Sequence, residues 1–354
     1  MAEFYLSTMA RARALTPIPV LRLLSKIGQA KRRIRRRGLL LVGRKARLVL
    51  VGVDLTDKTI LITGPTSGIG YETAKSLALH GAHVVFACRD IRKAEICRQK
   101  ITEHKLNADI DILECDLSSL RSVEHCAKTF LVKQWPLHVL ILNAGVQERY
   151  YCKSDDNFEQ TFAVNHLAHF YLTLLLTPCL IKSAPSRVVV VSSESHRFTD
   201  FFTALDPRSL TEERLSPSVS SSYWWMNAYN LSKLCNILFA FEYSRRYSRY
   251  GVTCNALHPG NMVWTNLTRH SCLIMTIAFL ARPFTKSLQQ AASTTVFCSV
   301  APEIEGISGL YFNNCWFSTP HKATENVELR KKLWDISVDM IQRICGPAAF
   351  GSFM

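Results

Sequence analysis

From residue 58 onward, hydrophobic positions fall into two alternating arrangements. Short apolar runs rich in β-branched residues occur at TILIT (59–63), HVVFAC (83–88), DIDILE (109–114), HVLIL (138–142), RVVVV (187–191) and VTCNAL (252–257). Between them lie longer segments with apolar residues at helical spacing. Unbroken runs of this length suit strands buried on both faces. Strands alternating with helices predict an α/β architecture, a doubly wound parallel sheet covered on both sides. Such sheets bind ligands beyond the carboxyl ends of their strands. Each strand-to-helix turn is therefore where chemistry is to be sought.

The first 53 residues follow another pattern. They hold 13 Lys and Arg against one acid, Glu3, whereas the rest of the 354-residue chain holds 30 against 27. The net charge of +15 thus belongs mostly to a basic N-terminal arm, residues 1–53, ahead of a single domain at 54–345. Within VLRLLSKIGQAKRRIRRRG a helix would align Leu23, Ile27, Ala30 and Ile34 in a narrow apolar stripe flanked by Arg22, Lys26, Lys31, Arg33 and Arg37. That pattern suits an anionic membrane surface or a mitochondrial transit peptide; a solvated basic tail and a nucleic-acid patch are its other readings. The nearly neutral body argues against a nucleic-acid-binding domain. No apolar run reaches the roughly 18–20 residues that span a bilayer. The 12 cysteines are scattered singly without a CxxC pair. A reducing intracellular compartment is expected, cytoplasmic or peripheral on an organelle membrane, and no metal site.

The turn after the first run reads TGPTSGIG, Thr63 to Gly70. Gly64 permits a tight turn, Gly68 lets backbone approach a pyrophosphate, and Gly70 lets helix pack on sheet at an N-terminus rich in free N–H groups. A dinucleotide on a Rossmann-type fold is the reading. The second run ends in Cys88-Arg89-Asp90. Arg89 suits a 2′-phosphate and so NADP(H), while Asp90 keeps NAD(H) open. Asp116 closes the third run, where an adenine would lie, and Asn143-Ala144-Gly145 follow the fourth with small residues for close approach. Between the fifth run, which leads into VVSSESH, and the sixth, which leads into HPG, lies YNLSK. On a helix Leu231, Leu234, Leu238 and Phe241 make a core stripe, and Tyr229 and Lys233 share a face away from it.

With these elements in this order, the chain resembles the short-chain dehydrogenase/reductase family over roughly residues 57–313. TGPTSGIG, ECDL, NAG, the VN of FAVNHLAHF, the serine pair before ESH, YNLSK and HPG carry the likeness. A narrower likeness, to WW domain-containing oxidoreductases and retinol dehydrogenases, rests on VVSSESHRFTD, AYNLSKLCNILF, HPGNMV, ARPFTKSLQQ and YFNNC. Two departures stand out. The first tryptophan is Trp135, so the tryptophan pair of a WW module is missing and Pro-rich-peptide recognition is not implied. Leu142 stands where many relatives have the first Asn of NNAG.

The resemblance implies an NAD(P)-dependent enzyme acting on CH–OH groups. Tyr229 would be general acid in reduction and base in oxidation, Lys233 would tune it and hold the nicotinamide ribose, and Ser193 would bind the substrate oxygen. Asn165 would hold a water linking Lys233 to solvent. Cofactor contacts would come from Thr63, Gly64, Ser67, Gly68, Ile69, Gly70, Arg89, Asp116, Leu117, Asn143, Ala144, Gly145, Tyr229, Lys233, Pro259 and Gly260. A tyrosine ordinarily titrates near 10, so work near pH 7 asks for about 4 kcal/mol. An ammonium about 4 Å away supplies a similar energy at an effective dielectric near 20. The apolar run SCLIMTIAFLA (271–281) would fold over a small apolar alcohol or carbonyl, retinoid-, steroid- or aldehyde-like. The insert containing SPSVSSSYWW would shape the pocket, and His196 and His258 are read as structural. Long paired helices imply a homo-oligomer. The alternative function is a cofactor-binding regulatory or interaction protein of low turnover on the same fold.

Overall fold

The computed structural model describes residues 53–199, 205–260 and 287–350. The arm up to residue 52 and the run at 271–281, with the expectations resting on them, lie outside the described residues. In chain order the main elements are β1 (Thr59–Thr63), α1 (Gly68–Leu79), β2 (His83–Cys88), α2 (Ile91–Thr102), β3 (Ile110–Glu114), α3 (Leu120–Val132), β4 (Val139–Leu142) and α4 (Gln160–Lys182). There follow β5 (Ser186–Val191), the short α5 (Glu212–Leu215), α6 (Trp225–Tyr247), β6 (Val252–His258), α7 (Leu288–Val300), β7 (Tyr311–Asn313), β8 (Trp316–Ser318) and α8 (Val327–Cys345).

All six expected strands form, with ends moved by at most one residue. They join one sheet ordered β3-β2-β1-β4-β5-β6-β7-β8, parallel except for the antiparallel β7–β8 pair. That hairpin was not foreseen. Its strands have three residues each, and its turn is Asn314-Cys315, both at positive φ (56° and 58°). A two-residue turn with both residues left-handed usually advertises itself with glycine; here it does not. The winding reverses at β1, which pairs with β2 on one side and β4 on the other. A crevice therefore opens beyond the ends of β1 and β4.

Alternate strand residues serve opposite layers, which is why the runs are apolar throughout. Ile60, Ile62, Val84 and Phe86 pack on the face covered by α1 and α7, while Leu61, Val85, Leu140 and Val188 pack on the face of α3, α4 and α6. Among the described residues α4 is the one helix long and apolar enough to cross a membrane, and most of it is buried in this layer. Its composition is that of a core helix. The stripe on α6 is buried at Leu231, Leu234 and Leu238, with Phe241 half-buried.

The outer sides of α4 and α6 carry α8 of the same chain. Trp334 lies 4.8 Å from the Phe170 ring, under the Arg246 guanidinium at 4.1 Å. Beyond α8, the Tyr171 hydroxyl donates to the Ala349 carbonyl (3.2 Å) and Phe350 packs on the Tyr171 ring. The folded body thus continues past residue 345.

Candidate active site

The glycines of the first turn are required by contact. Gly64 has φ +65°, and a Cβ on it would lie 3.0 Å from the Ala144 Cα. A Cβ on Gly70 would lie 2.1 Å from the Gly64 carbonyl oxygen. The turn after β1 and the NAG turn after β4 are thus pressed together. Thr63 joins them: its Oγ1 accepts the N–H groups of Asn143 and Ala144, each at 3.0 Å. Buried and turned inward, Thr63 supports the turn and does not face the cavity, contrary to the cofactor contact expected of it. Its hydroxyl meets His169 Nε2 at 2.9 Å, and His169 Nδ1 donates to the Asn165 carbonyl at 3.1 Å.

The start of α1 differs from its neighbours. Asp90, Ser119, Ser287 and Asn326 cap α2, α3, α7 and α8 with side-chain hydrogen bonds, but Ser67 makes none on α1. The first-turn N–H groups at Gly68, Ile69 and Gly70 have no partner within the helix and border the cavity. This is the donor set that a pyrophosphate needs.

That cavity, about 1000 Å³, runs from Arg89 and Asp116 past the two glycine turns to Ser193, Tyr229, Lys233, Pro259 and Gly260. Every expected cofactor residue except Thr63 lines it. At its outer end Arg89 is 73% exposed, with Nε 3.8 Å from Asp116 Oδ2. Asp90 accepts the Lys93 N–H at 2.9 Å and is used as a helix cap. Lys93 also lines the cavity and was missed by sequence reasoning. Its signal was there: it stands in the first turn of the helix that Asp90 caps, just after Arg89.

At the inner end, Lys233 is buried with Nζ 3.4 Å from the Val191 carbonyl and 5.6 Å from the centre of the Tyr229 ring. A Cβ on Gly145 would sit 3.1 Å from that Nζ, so any side chain there would crowd the ammonium. Ser193 Oγ accepts the Ser195 N–H at 3.2 Å and lines the cavity beside Tyr229. Burial pushes the Tyr229 phenol up to about 12, with the Ser193 hydroxyl pulling the other way. The protein's own groups thus hold the phenol protonated, because its desolvation outweighs the help it receives; the expected lowering drew on the positive oxidised nicotinamide as well as Lys233. Burial likewise brings Lys233 down to about 8, still a cation at neutral pH.

Asn165 sits in a π-helical turn, Ala163–Leu167, inside α4, a local widening common at functional sites. It does not line the cavity. Its Oδ1 accepts the Val146 N–H (2.7 Å), and its Nδ2 donates to the Val146 carbonyl (2.9 Å) and Ser232 Oγ (3.0 Å). Both amide hydrogens are committed, one to the chain after NAG and one to Ser232 on α6. The insert between Ser193 and Tyr229 borders the cavity directly at Glu194, Ser195 and Phe198, and it braces the wall through the Tyr223 hydroxyl donating to the carbonyl of the cavity residue Glu148. His258 lines the cavity and accepts the Glu194 N–H at 3.3 Å. Against the expectation of no metal site, one group of metal-ligand type occurs among the described residues, His83, Asp109 and Asp111. It lies at the opposite ends of the strands, with His83 bonding Asp111 at 3.0 Å.

Comparison with known proteins agrees with this geometry. A family model described as short chain dehydrogenase matches residues 58–202. The human WW domain-containing oxidoreductase is 50% identical over 299 residues, 84% of this chain and 71% of the relative. Mouse retinol dehydrogenase 12 is 38% identical over 294 residues, 82% of this chain and 88% of the relative. Among solved structures, an uncharacterised protein from Mycobacterium paratuberculosis superposes with TM-score 0.63 at 26% identity, covering 85% of this chain and 98% of that one.

Proposed function

Because this chain belongs to the short-chain dehydrogenases, oxidoreductases that act on CH–OH groups with a nicotinamide cofactor, we propose that it moves hydride between NADP(H) and a small apolar alcohol or carbonyl compound, with Tyr229 as the proton donor and acceptor. The observation that carries the reading is the meeting of Ser193, Tyr229 and Lys233 on one cavity wall, with the Ser193 hydroxyl near enough to Tyr229 to favour its phenolate. The nicotinamide, when bound, supplies the hydride donor or acceptor. The chain's residues do the rest. Ser193 and Tyr229 hold the substrate oxygen between two hydroxyls. In reduction Tyr229 gives its proton to that oxygen, and in oxidation it takes one back.

The protonated phenol suits the reductive direction at neutral pH. Oxidation needs the phenolate, so its rate is expected to climb with pH where reduction stays level. The preference for NADP(H) rests on Arg89 and Lys93 at the cavity's outer end. Two cations suit a 2′-phosphate. An apolar substrate is supported by Val146, Val164 and Phe198 at the inner end.

Tyr229→Phe tests the assignment. It removes one hydroxyl and keeps the ring, so kcat is expected to fall on the order of 10²–10⁴-fold, with cofactor affinity by fluorescence titration unchanged. Retained turnover would remove Tyr229 from the chemistry.

A further inference from the structure

Resting on that reading of Ser193 and Tyr229, we propose that His196 is a positioning residue: it fixes the peptide of Ser193 so that the serine hydroxyl stays on the Tyr229 phenol. The segment after β5 is a single 3-10 turn, Glu194–Phe198, and Ser193 enters it with extended backbone (φ −149°, ψ 152°). Within the turn Ser193 Oγ accepts the Ser195 N–H at 3.2 Å and the Ser193 carbonyl accepts the His196 N–H at 3.1 Å, and the His196 side chain adds a third hold from below. His196 is wholly buried beneath it. Its Nε2 accepts the His321 N–H at 3.1 Å, and its Nδ1 lies 2.5 Å from the Ser193 carbonyl oxygen. A backbone N–H can only donate, so Nε2 carries no proton. The ring's single proton sits on Nδ1 and is donated to Ser193. Both ends of the imidazole are committed, and the Tyr311 ring closes on it at 5.1 Å.

Glu194 straps the same turn from its other side. Its carboxylate accepts the Tyr311 hydroxyl (2.9 Å), Asn313 Nδ2 (3.2 Å) and Arg197 Nε (2.6 Å). Arg197 Nη2 continues to the Thr319 carbonyl at 2.6 Å. Ser193 is thus held by residues 311–321, supplied by β7 and the segment after β8. The titratable groups facing His196 are Glu194 and Arg197 on its own turn, Tyr311 on β7 and His321 beyond β8. Burial keeps the imidazole neutral, bringing it down to about 4, so the clamp holds through the working pH range.

The test is the pH profile of kcat for oxidation of an aliphatic alcohol that the wild-type chain accepts, measured on the full chain with NADP⁺. The Ser193 hydroxyl favours the phenolate, so loosening it moves the rising limb to higher pH. Ser193→Ala and His196→Leu are each expected to displace that limb upward by about half a pH unit or more, roughly threefold in rate at fixed pH. The double variant is expected to add nothing further, and His196→Asn, which keeps a donor for Ser193, to lie close to wild type. A His196→Leu variant with a lower Tm but an unmoved limb overturns the clamp while leaving Ser193 in its role. An unmoved limb in Ser193→Ala overturns both readings. If His196→Leu does not fold, His321→Pro approaches from the other side. His321 has φ −58°, which proline adopts, and the substitution deletes the N–H that fixes the imidazole. A displaced limb supports the clamp and an unmoved one overturns it.

Discussion

At the turn after β1, the groups offered to a ligand are peptide N–H donors and bare glycine α-carbons, held by neighbours such as Thr63 and Asn143. At the turn after β5 they are a hydroxyl, a phenol and an ammonium, held by Tyr311, Asn313 and His321 from the far end of the chain. The first end needs side chains to be missing; the second needs them in place. An added methyl group therefore wrecks one end, and a lost hydrogen bond wrecks the other. The first is complete once β1, β4 and the two turns after them have met. The second is complete only when β7, β8 and the segment after them have docked.

Substitutions at each end separate the two. The largest effect is expected from Gly70→Ala, whose Cβ would press on the Gly64 carbonyl and on Asn143 Nδ2 (2.1 and 2.5 Å). Thermal melting is expected to show a loss of about 1–3 kcal/mol, and titration a cofactor affinity weakened on the order of 10–100-fold. Normal binding would show that the turn can open. Arg89→Ala is next, weakening NADPH by about tenfold and NADH little; equal losses would leave the preference without its arginine.

Acidity comes third. His166, His169 and His196 are buried, and burial brings them down to about 3, 4 and 4. Below their ordinary value near 6.5 the unfolded chain binds protons that the folded chain refuses, so their contribution, full above that pH, is lost as the solution is acidified. Tm is expected to drop between about pH 6.5 and 4, less so in His196→Asn. Deleting residues 1–50 is expected to leave kcat and KM within about twofold while moving the protein in fractionated cells. A collapse of activity would place the arm in the fold.

How far the sequence could be read follows the same division. Continuous apolar runs disclosed β1 to β6, and the spacing of Tyr229 and Lys233 put them side by side, because strand and helix periods are local properties. The glycine turns were legible for the same reason. The β7–β8 hairpin was not, having three-residue strands and Asn-Cys where a turn usually shows glycine. Nor was the cost of burying Tyr229, since adjacency to an ammonium says nothing of what burial costs the phenolate. The inward roles of Thr63 and Asn165 depend on partners 80 and 67 residues away. Glu194 and His196 bond residues 117–125 positions later, and no motif length spans that interval.

The packing of α8 on α4 and α6 has a consequence for biosynthesis. Phe170 and Phe239 emerge from the ribosome well before Trp334, the residue that seals them. Until α8 has been made and has docked, the nascent chain shows an aromatic seam to solvent, a surface on which incomplete chains can associate.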